Sequence, residues 1–497
     1  MSKTLHAART MFAFAALAML AQAHVGSPDI YLDSKAGPYQ LFITIRTPQV
    51  IPGVAELEIR SETPGIRQIR AVPLPMSGPG ASFAPVPDQL TASPQDPQLF
   101  TGSLWMMAPG SWQVRITAEG AQGTGQIAIP VPSAALTTKK MPFGLGALLS
   151  VLGLFLVAGV VAMAGANARE AKLDPGVEPT APQRRRARVA MAVSFLIVAG
   201  ILWAGSSWWA SEAAAYGHKV YTPMNMQAGL DSSGVLSLNL SDPGWLRPRP
   251  GHIALFTRSV DDLIPDHNHL MHLYAIRQPG LDVVYHLHPE LVSSGVFRLS
   301  LPVMPAGDYK LYADIVHESG FPETLVSTIH IGPLNGRPLG SDDASGSFRP
   351  WPECSTTANT FTLPDNYKMV WLRPATLRAR QPVLFRFRLE TPSGAIPDDM
   401  ALYLGMPGHA AFLKTDGTVF AHIHPTGSVS MAAFLLAQGQ SSDMAGMDMP
   451  GMDHHANAVS SEVGFPYGFP TPGRYRLFIQ MKHGQTVETG IFDADVR

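Results

Sequence analysis

Apolar and polar residues alternate in short runs along most of the chain, as in YQLFITIRT (Tyr39 to Thr47) and SWQVRITAE (Ser111 to Glu119), with Pro and Gly between runs. A period of two bounded by turn residues predicts half-buried strands. The pattern occupies 24–140, 219–333 and 361–497, which predicts a mainly β protein with three Ig-like or cupredoxin-like β-sandwich domains. Residues 334–360 between the last two are polar and rich in Gly, Pro and Ser, and read as a linker. Two stretches break the alternation altogether, because no charge occurs in 143–166 or in 189–210. Each is long enough to cross about 30 Å of hydrocarbon as a helix, so a two-helix transmembrane hairpin is expected.

Charge orients that hairpin. The connection 167–188 carries Arg169, Lys172, Arg184, Arg185, Arg186 and Arg188 against Glu170, Asp174 and Glu178. The positive-inside rule makes it cytoplasmic and puts both flanking parts on the periplasmic side of a bacterial inner membrane. Trp203, Trp208 and Trp209 then fall at the far interface, as an aromatic belt. At the N-terminus Lys3 and Arg9 flank the apolar MFAFAALAML, and Ala21-Gln22-Ala23 has the small-x-small form of a cleavage site. Residues 1–23 therefore read as a signal peptide, and His24 as the first mature residue.

Composition narrows the chemistry. With 497 residues, 15% of them charged, and a net charge of -2, the chain is multidomain and has no basic field to recruit nucleic acid. Its one cysteine, Cys354, excludes an internal disulfide and a thiolate metal site. Of 17 histidines only His6 and His24 precede His218. Any metal chemistry therefore belongs mainly to the C-terminal half and to nitrogen, oxygen or thioether ligands.

That half contains a repeat. YKLYADIVH (Tyr309 to His317) matches YRLFIQMKH (Tyr475 to His483), and VVYHLHPE (Val283 to Glu290) matches TVFAHIHPTG (Thr418 to Gly427). Counting back from a two-residue turn at Asp416-Gly417 sets His409 opposite His424, with His422 on the diagonal. A turn one residue longer, Pro279-Gly280-Leu281, sets His272 opposite His288. Cross-strand neighbours lie about 5 Å apart and diagonals about 7 Å, within imidazole reach of one ion. His272, His286 and His288 are thus one candidate metal site and His409, His422 and His424 a second, with His317 and His483 as fourth ligands. DHNHLMHLY adds His267, His269 and Met271, either a second shell and access route or a polar strand edge; His218, His252 and His330 read as structural.

Two further features point to copper. The stretch 443–455 holds Met444, Met447, Met449, Met452, His454 and His455, with Asp and Gly interrupting any core periodicity, and reads as a metal-capturing loop. Thioether is a soft ligand suited to Cu(I). A mature His24 would offer an amine and an imidazole to Cu(II), with Asp29 or Asp33 as further ligands.

MHLYAIRQPGLDVVYHLHPE, PAGDYKLYADIVHESGFPET and GHAAFLKTDGTVFAHIHPTGS resemble the HLHPE-type β domains of exported, membrane-anchored bacterial proteins associated with copper and heavy-metal tolerance. The start HVGSP is similar to that of CopC-type and YcnI-type copper binders, whose first residue is a ligand, although the second histidine of CopC-type sites is missing. The resemblance implies a metal association and an exported location; together with the residues above, the reading is a membrane-anchored periplasmic copper-binding protein for buffering, tolerance or transfer, with other periplasmic copper-handling proteins as partners and zinc as the alternative metal. Two other readings stay open: a metal-dependent oxidase or hydrolase working through a three-histidine site, and a structural or sensor module whose histidines hold no metal.

Overall fold

The computed structural model describes residues 29–76, 83–174, 176–246, 258–352, 358–440 and 459–497. The chain is mainly β and divides into two compact units: 135–221, and the rest.

Unit 135–221 is a helical hairpin. Helix Phe143–Glu170 is followed by helix Ala181–Gly217, which starts with a capping box between Thr180 and Gln183. The helices meet at Gly165, which lies against the side chain of Met191. Both are long and apolar enough to cross a membrane, and Leu154, Phe155, Leu196, Ile201, Trp203 and Trp208 are exposed along them. The uncharged stretches fall inside these helices. One expectation changes: Arg184 to Arg188 belong to the first turns of the second helix rather than to a loop, because the capping box starts it at 181.

The larger unit consists of sandwich-like sheet pairs. The N-terminal pair sets strands 30–36, 39–46, 53–61, 99–106 and 91–92 against strands 88–89, 66–75, 110–120 and 123–133. In the next, strands 225–230, 235–241, 296–300 and 290–293 enclose Leu238, Leu273, Phe297, Leu311 and Leu325 against the sheet of 263–264, 307–317, 272–278, 283–287, 344–347 and 322–331. In the third, strands 360–362, 368–371, 383–390 and 462–467 cover the sheet of 400–401, 473–483, 409–414, 420–423 and 486–496.

The second sheets of these last two sandwiches are themselves packed together. Leu273, Ala275 and Leu287 point into their own sandwich, whereas Tyr274, Ile276 and Val284, of opposite parity, join one core with Phe412, Phe420, Leu477 and Phe478 of the third sandwich. A strand buried on both faces explains the continuous burial of Val283–Leu287. Arg476, fully buried, pins the contact: it is paired with Asp493 and donates to the Leu281 carbonyl at 2.9 Å.

The expected linker is not merely a linker. Within 334–360, Ala344–Ser347 adds an edge strand to Val283–His286, which draws Asp342 and Asp343 to the histidines. Helix Met431–Ala437 is also unanticipated: Ser430 caps it, and Ala432 N donates to Asp266 Oδ1 at 2.8 Å.

Candidate metal centre

The hairpin registers are those the turn count gives. Leu273 pairs with Leu287 and Ala410 with Ile423, so the next positions are His272 opposite His288 and His409 opposite His424. Because both hairpins lie on the buried face between the sandwiches, their histidines meet in one chamber. His272, His286 and His288 form one trio whose ligand atoms all lie within 4.8 Å of one another. His267, His409 and His424 form another of the same compactness.

The second compact trio has His267 beside His409 and His424, and the ring of His422 lies 4.6 Å from that of His424, 5.4 Å from His272, 5.5 Å from His286 and 5.6 Å from His409. The reason is a tight turn, Asp266 to His269, in which His267 (φ 50°) and Asn268 (φ 68°) are both left-handed and the end residues exchange backbone hydrogen bonds. The turn carries His267 over to His409 and His424, at ring separations of 5.2 and 5.1 Å. The third sandwich repeats it at Tyr403 to Met406, with Leu404 and Gly405 left-handed, so the counterpart of His267 is Leu404. Of the other residues in that segment, His269 stacks on His288 at 4.0 Å, while Met271 faces the core of its own sandwich. Sequence reading had the density of histidines in DHNHLMH as a signal, but not the turn that aims His267.

Most of these rings are anchored through one nitrogen, whereas both nitrogens of His267 and of His409 are buried without a hydrogen-bond partner. His272 Nε2 lies 3.0 Å from the Asp266 carbonyl, His288 Nδ1 3.3 Å from Asp343 Oδ1, His422 Nδ1 3.1 Å from Asp314 Oδ2 and His424 Nδ1 3.2 Å from the Val429 carbonyl. The two carbonyls and the Asp343 carboxylate accept, so the nitrogens of His272, His288 and His424 that face them carry the protons. His286 Nδ1 lies 3.0 Å from Gln480 Oε1 and 3.2 Å from the Tyr403 hydroxyl, which is itself 2.9 Å from the Asp342 carbonyl. In neutral rings so anchored, the second nitrogens are bare lone pairs. His288 Nε2, His422 Nε2, His424 Nε2 and both nitrogens of His409 are buried without a hydrogen-bond partner, and His272 Nδ1 faces His286 Nε2 at 3.1 Å. Buried, converging lone pairs of this kind could hold a metal ion, with supporting hydrogen bonds behind four of the rings.

The environment keeps the rings neutral. Burial, with the neighbouring imidazoles adding to it, lowers His286, His288, His409 and His422 well below the ordinary histidine range. Burial also takes His267 and His272 down to about 3. Asp314 is pushed up to about 7 by burial. A neutral imidazole is the form that ligates a metal, so no proton has to be displaced near pH 7.

His317 and His483 are not in the chamber. His317 is bracketed by Asp262 and by Glu323, which is also paired with the buried Arg258. Burial opposes its charge, but the hydrogen bonds to Asp262 and Glu323 prevail and raise it to about 8. His483 lies among Asp365, Asp399 and Glu488, with Tyr367 stacked on its ring. His24, Met444, Met447, Met449, Met452, His454 and His455 lie outside the described residues, as does His252. His330 is on the surface, paired with Asp308.

The third sandwich has a family counterpart. Residues 361–497 match the model of a domain of unknown function, DUF8832. No curated protein matches the chain. Among solved structures, a tetra-tandem repeat from the extending region of a large adhesion protein aligns at 7% identity over 90% of this chain and 72% of that one, with a TM-score of 0.16. The E. coli alpha-2-macroglobulin aligns at 10% identity and a TM-score of 0.15, over 94% of this chain and 25% of its own. At such scores the likeness carries no argument about fold or function.

Proposed function

We propose that the protein is a membrane-anchored periplasmic copper-binding protein that holds copper in the histidine chamber between its two C-terminal sandwiches, for buffering, tolerance or transfer. The observation that carries this reading is the inward set of unpartnered imidazole nitrogens, with His272, His288, His422 and His424 fixed from behind by a carbonyl or carboxylate. Imidazole suits copper and zinc alike. The trios contain no anionic ligand, so a bound ion keeps its charge in a buried place; because the cost of burying charge rises with its square, Cu(I) is favoured over a divalent ion. The sequence adds the methionine-rich stretch 443–455 as a soft capture segment. The sandwiches are taken to be of Ig-like or cupredoxin-like type, and the apolar helices to anchor them with the sandwiches outside.

The test is retention. Full-length protein in detergent is loaded with Cu(I), Cu(II) or Zn(II) and dialysed beside the double variant His272→Ala with His409→Ala, which removes one ligand from each trio. Wild type is expected to retain about two copper equivalents more than the variant, since each trio is one ion's worth of donors. Equal retention by the two proteins would falsify the reading, and selective loss of zinc rather than copper would reassign the metal.

A further inference from the structure

Outside the chamber, the two C-terminal sandwiches carry the same trio of side chains at matching register positions. His317 is paired with Leu263, next to Asp262, and His483 with Met400, next to Asp399. On the neighbouring strands Glu323 stands opposite Ile315 and Glu488 opposite Met481, two positions before each histidine. In the first case a cation completes the group: the guanidinium of Arg258, with none of its side chain exposed, is paired with Glu323 and with Asp242.

In the second case the cation is missing and a carboxylate is added. Asp365 Oδ2 lies 3.4 Å from His483 Nε2, Glu488 Oε1 3.6 Å from the same nitrogen, and Asp399 Oδ2 3.3 Å from Nδ1. Among the described residues no lysine or arginine pairs with Asp365, Asp399 or Glu488. Glu488 is only 7% exposed, and His483 Nε2 is buried without a hydrogen-bond partner and directed between Asp365 and Glu488. A buried carboxylate so placed without its cation is costly.

We propose that Asp365, His483 and Glu488 form a third metal site, separate from the chamber, for a divalent cation such as Mn(II) or Zn(II), which takes the electrostatic place that Arg258 holds in the preceding sandwich. The spacing fits. Two ligand atoms about 2.1 Å from one ion in a tetrahedral shell stand about 3.4 Å apart, close to the two gaps at His483 Nε2. Tyr367 fixes the imidazole by stacking at 4.2 Å, and its backbone N–H donates to the other oxygen of Asp365 at 3.0 Å. The donor set also separates this site from the chamber. Carboxylate oxygens accept Mn(II), which binds imidazole alone weakly, and they compensate a double charge that the all-imidazole trios leave bare.

Mn(II) is therefore the probe. Full-length protein in detergent is titrated with MnCl2 while free Mn(II) is followed by electron paramagnetic resonance. One ion per chain is expected for wild type, with at least a tenfold weaker affinity in Asp365→Asn and in Glu488→Gln, and no change in the chamber variant His288→Ala with His424→Ala. Asp365 is at the rim, so its variant keeps the test valid if the Glu488 variant does not fold. Copper retention by Asp365→Asn should equal that of wild type. The proposal is overturned if wild type takes up no Mn(II), if Asp365→Asn binds it as wild type does, or if the chamber variant loses it.

Discussion

His286 and His422 occupy equivalent positions in their hairpins, and each reaches across to the opposite sandwich for its anchor, His286 to Gln480 and His422 to Asp314. The anchors are themselves equivalent, paired with His409 and His272 respectively. Removing such a partner frees a ring to rotate, which typically weakens metal binding about 10- to 100-fold. Gln480→Ala should therefore weaken copper binding by about tenfold or more in a competition titration, and Asp314→Ala likewise. Asp314→Asn keeps an acceptor oxygen for His422 and should lose less. A different residue-scale expectation concerns pH. His317 is raised from 6.5 to about 8, so the fold favours its protonated form; its stabilisation, about 2 kcal/mol, is present below pH 6.5 and is lost as pH rises through 8. The lowered chamber histidines do the reverse, because in the metal-free protein they favour the fold above 6.5 and cost stability as the unfolded chain takes up protons below it. Denaturant midpoints of apo protein should peak near pH 6.5, and His317→Gln should flatten the alkaline side alone.

Among the elements, the segment after His424 is tied to a neighbouring sandwich. Gly427 pairs with Leu32 of the N-terminal sandwich, Asp33 N donates to the Thr426 carbonyl at 2.9 Å, and Ser428 N to the Tyr31 carbonyl at 2.9 Å. Gly427 has φ 148°, and a Cβ there would stand 2.1 Å from the Tyr31 carbonyl oxygen. Gly427→Ala should cost about 1–3 kcal/mol in a denaturant titration and should loosen His424 as well, seen as weaker copper retention. Legibility in the sequence divides along the same line. The cross-strand positions of His272, His288, His409 and His424 could be counted, because strand parity and turn length are local. The meeting of the two hairpins could not, because it depends on which face of Val283–Leu287 a second sandwich covers. For the same reason strand parity and turn length do not reveal that His267 completes a trio with His409 and His424, or that His317 and His483 lie among carboxylates instead. Polar residues 334–360 looked like a linker because an edge strand as short as Ala344–Ser347, ASGS, has no apolar alternation to show.

For the larger unit as a whole, the chamber is an interface as much as a site. His267 belongs to the first histidine-bearing sandwich, and its trio partners His409 and His424 to the second. An ion there binds only when both are folded and docked, so it stabilises the pair together, by about 2.7 kcal/mol at a free concentration 100 times the dissociation constant. Calorimetry should show copper moving the unfolding of the two sandwiches upward as one transition, while in His267→Leu, with only two ligands left in that trio, the shift should shrink. His267, His272, His286, His409 and His424 are each at most 3% exposed, and His269, stacked on His288, is the most open ring with 23% of its side chain exposed. A cargo enclosed that fully leaves at the pace of the enclosure. Copper held there would leave only as contacts such as Tyr403 with Asp342 and Arg476 with Leu281 part, so adding more external chelator should not quicken its loss.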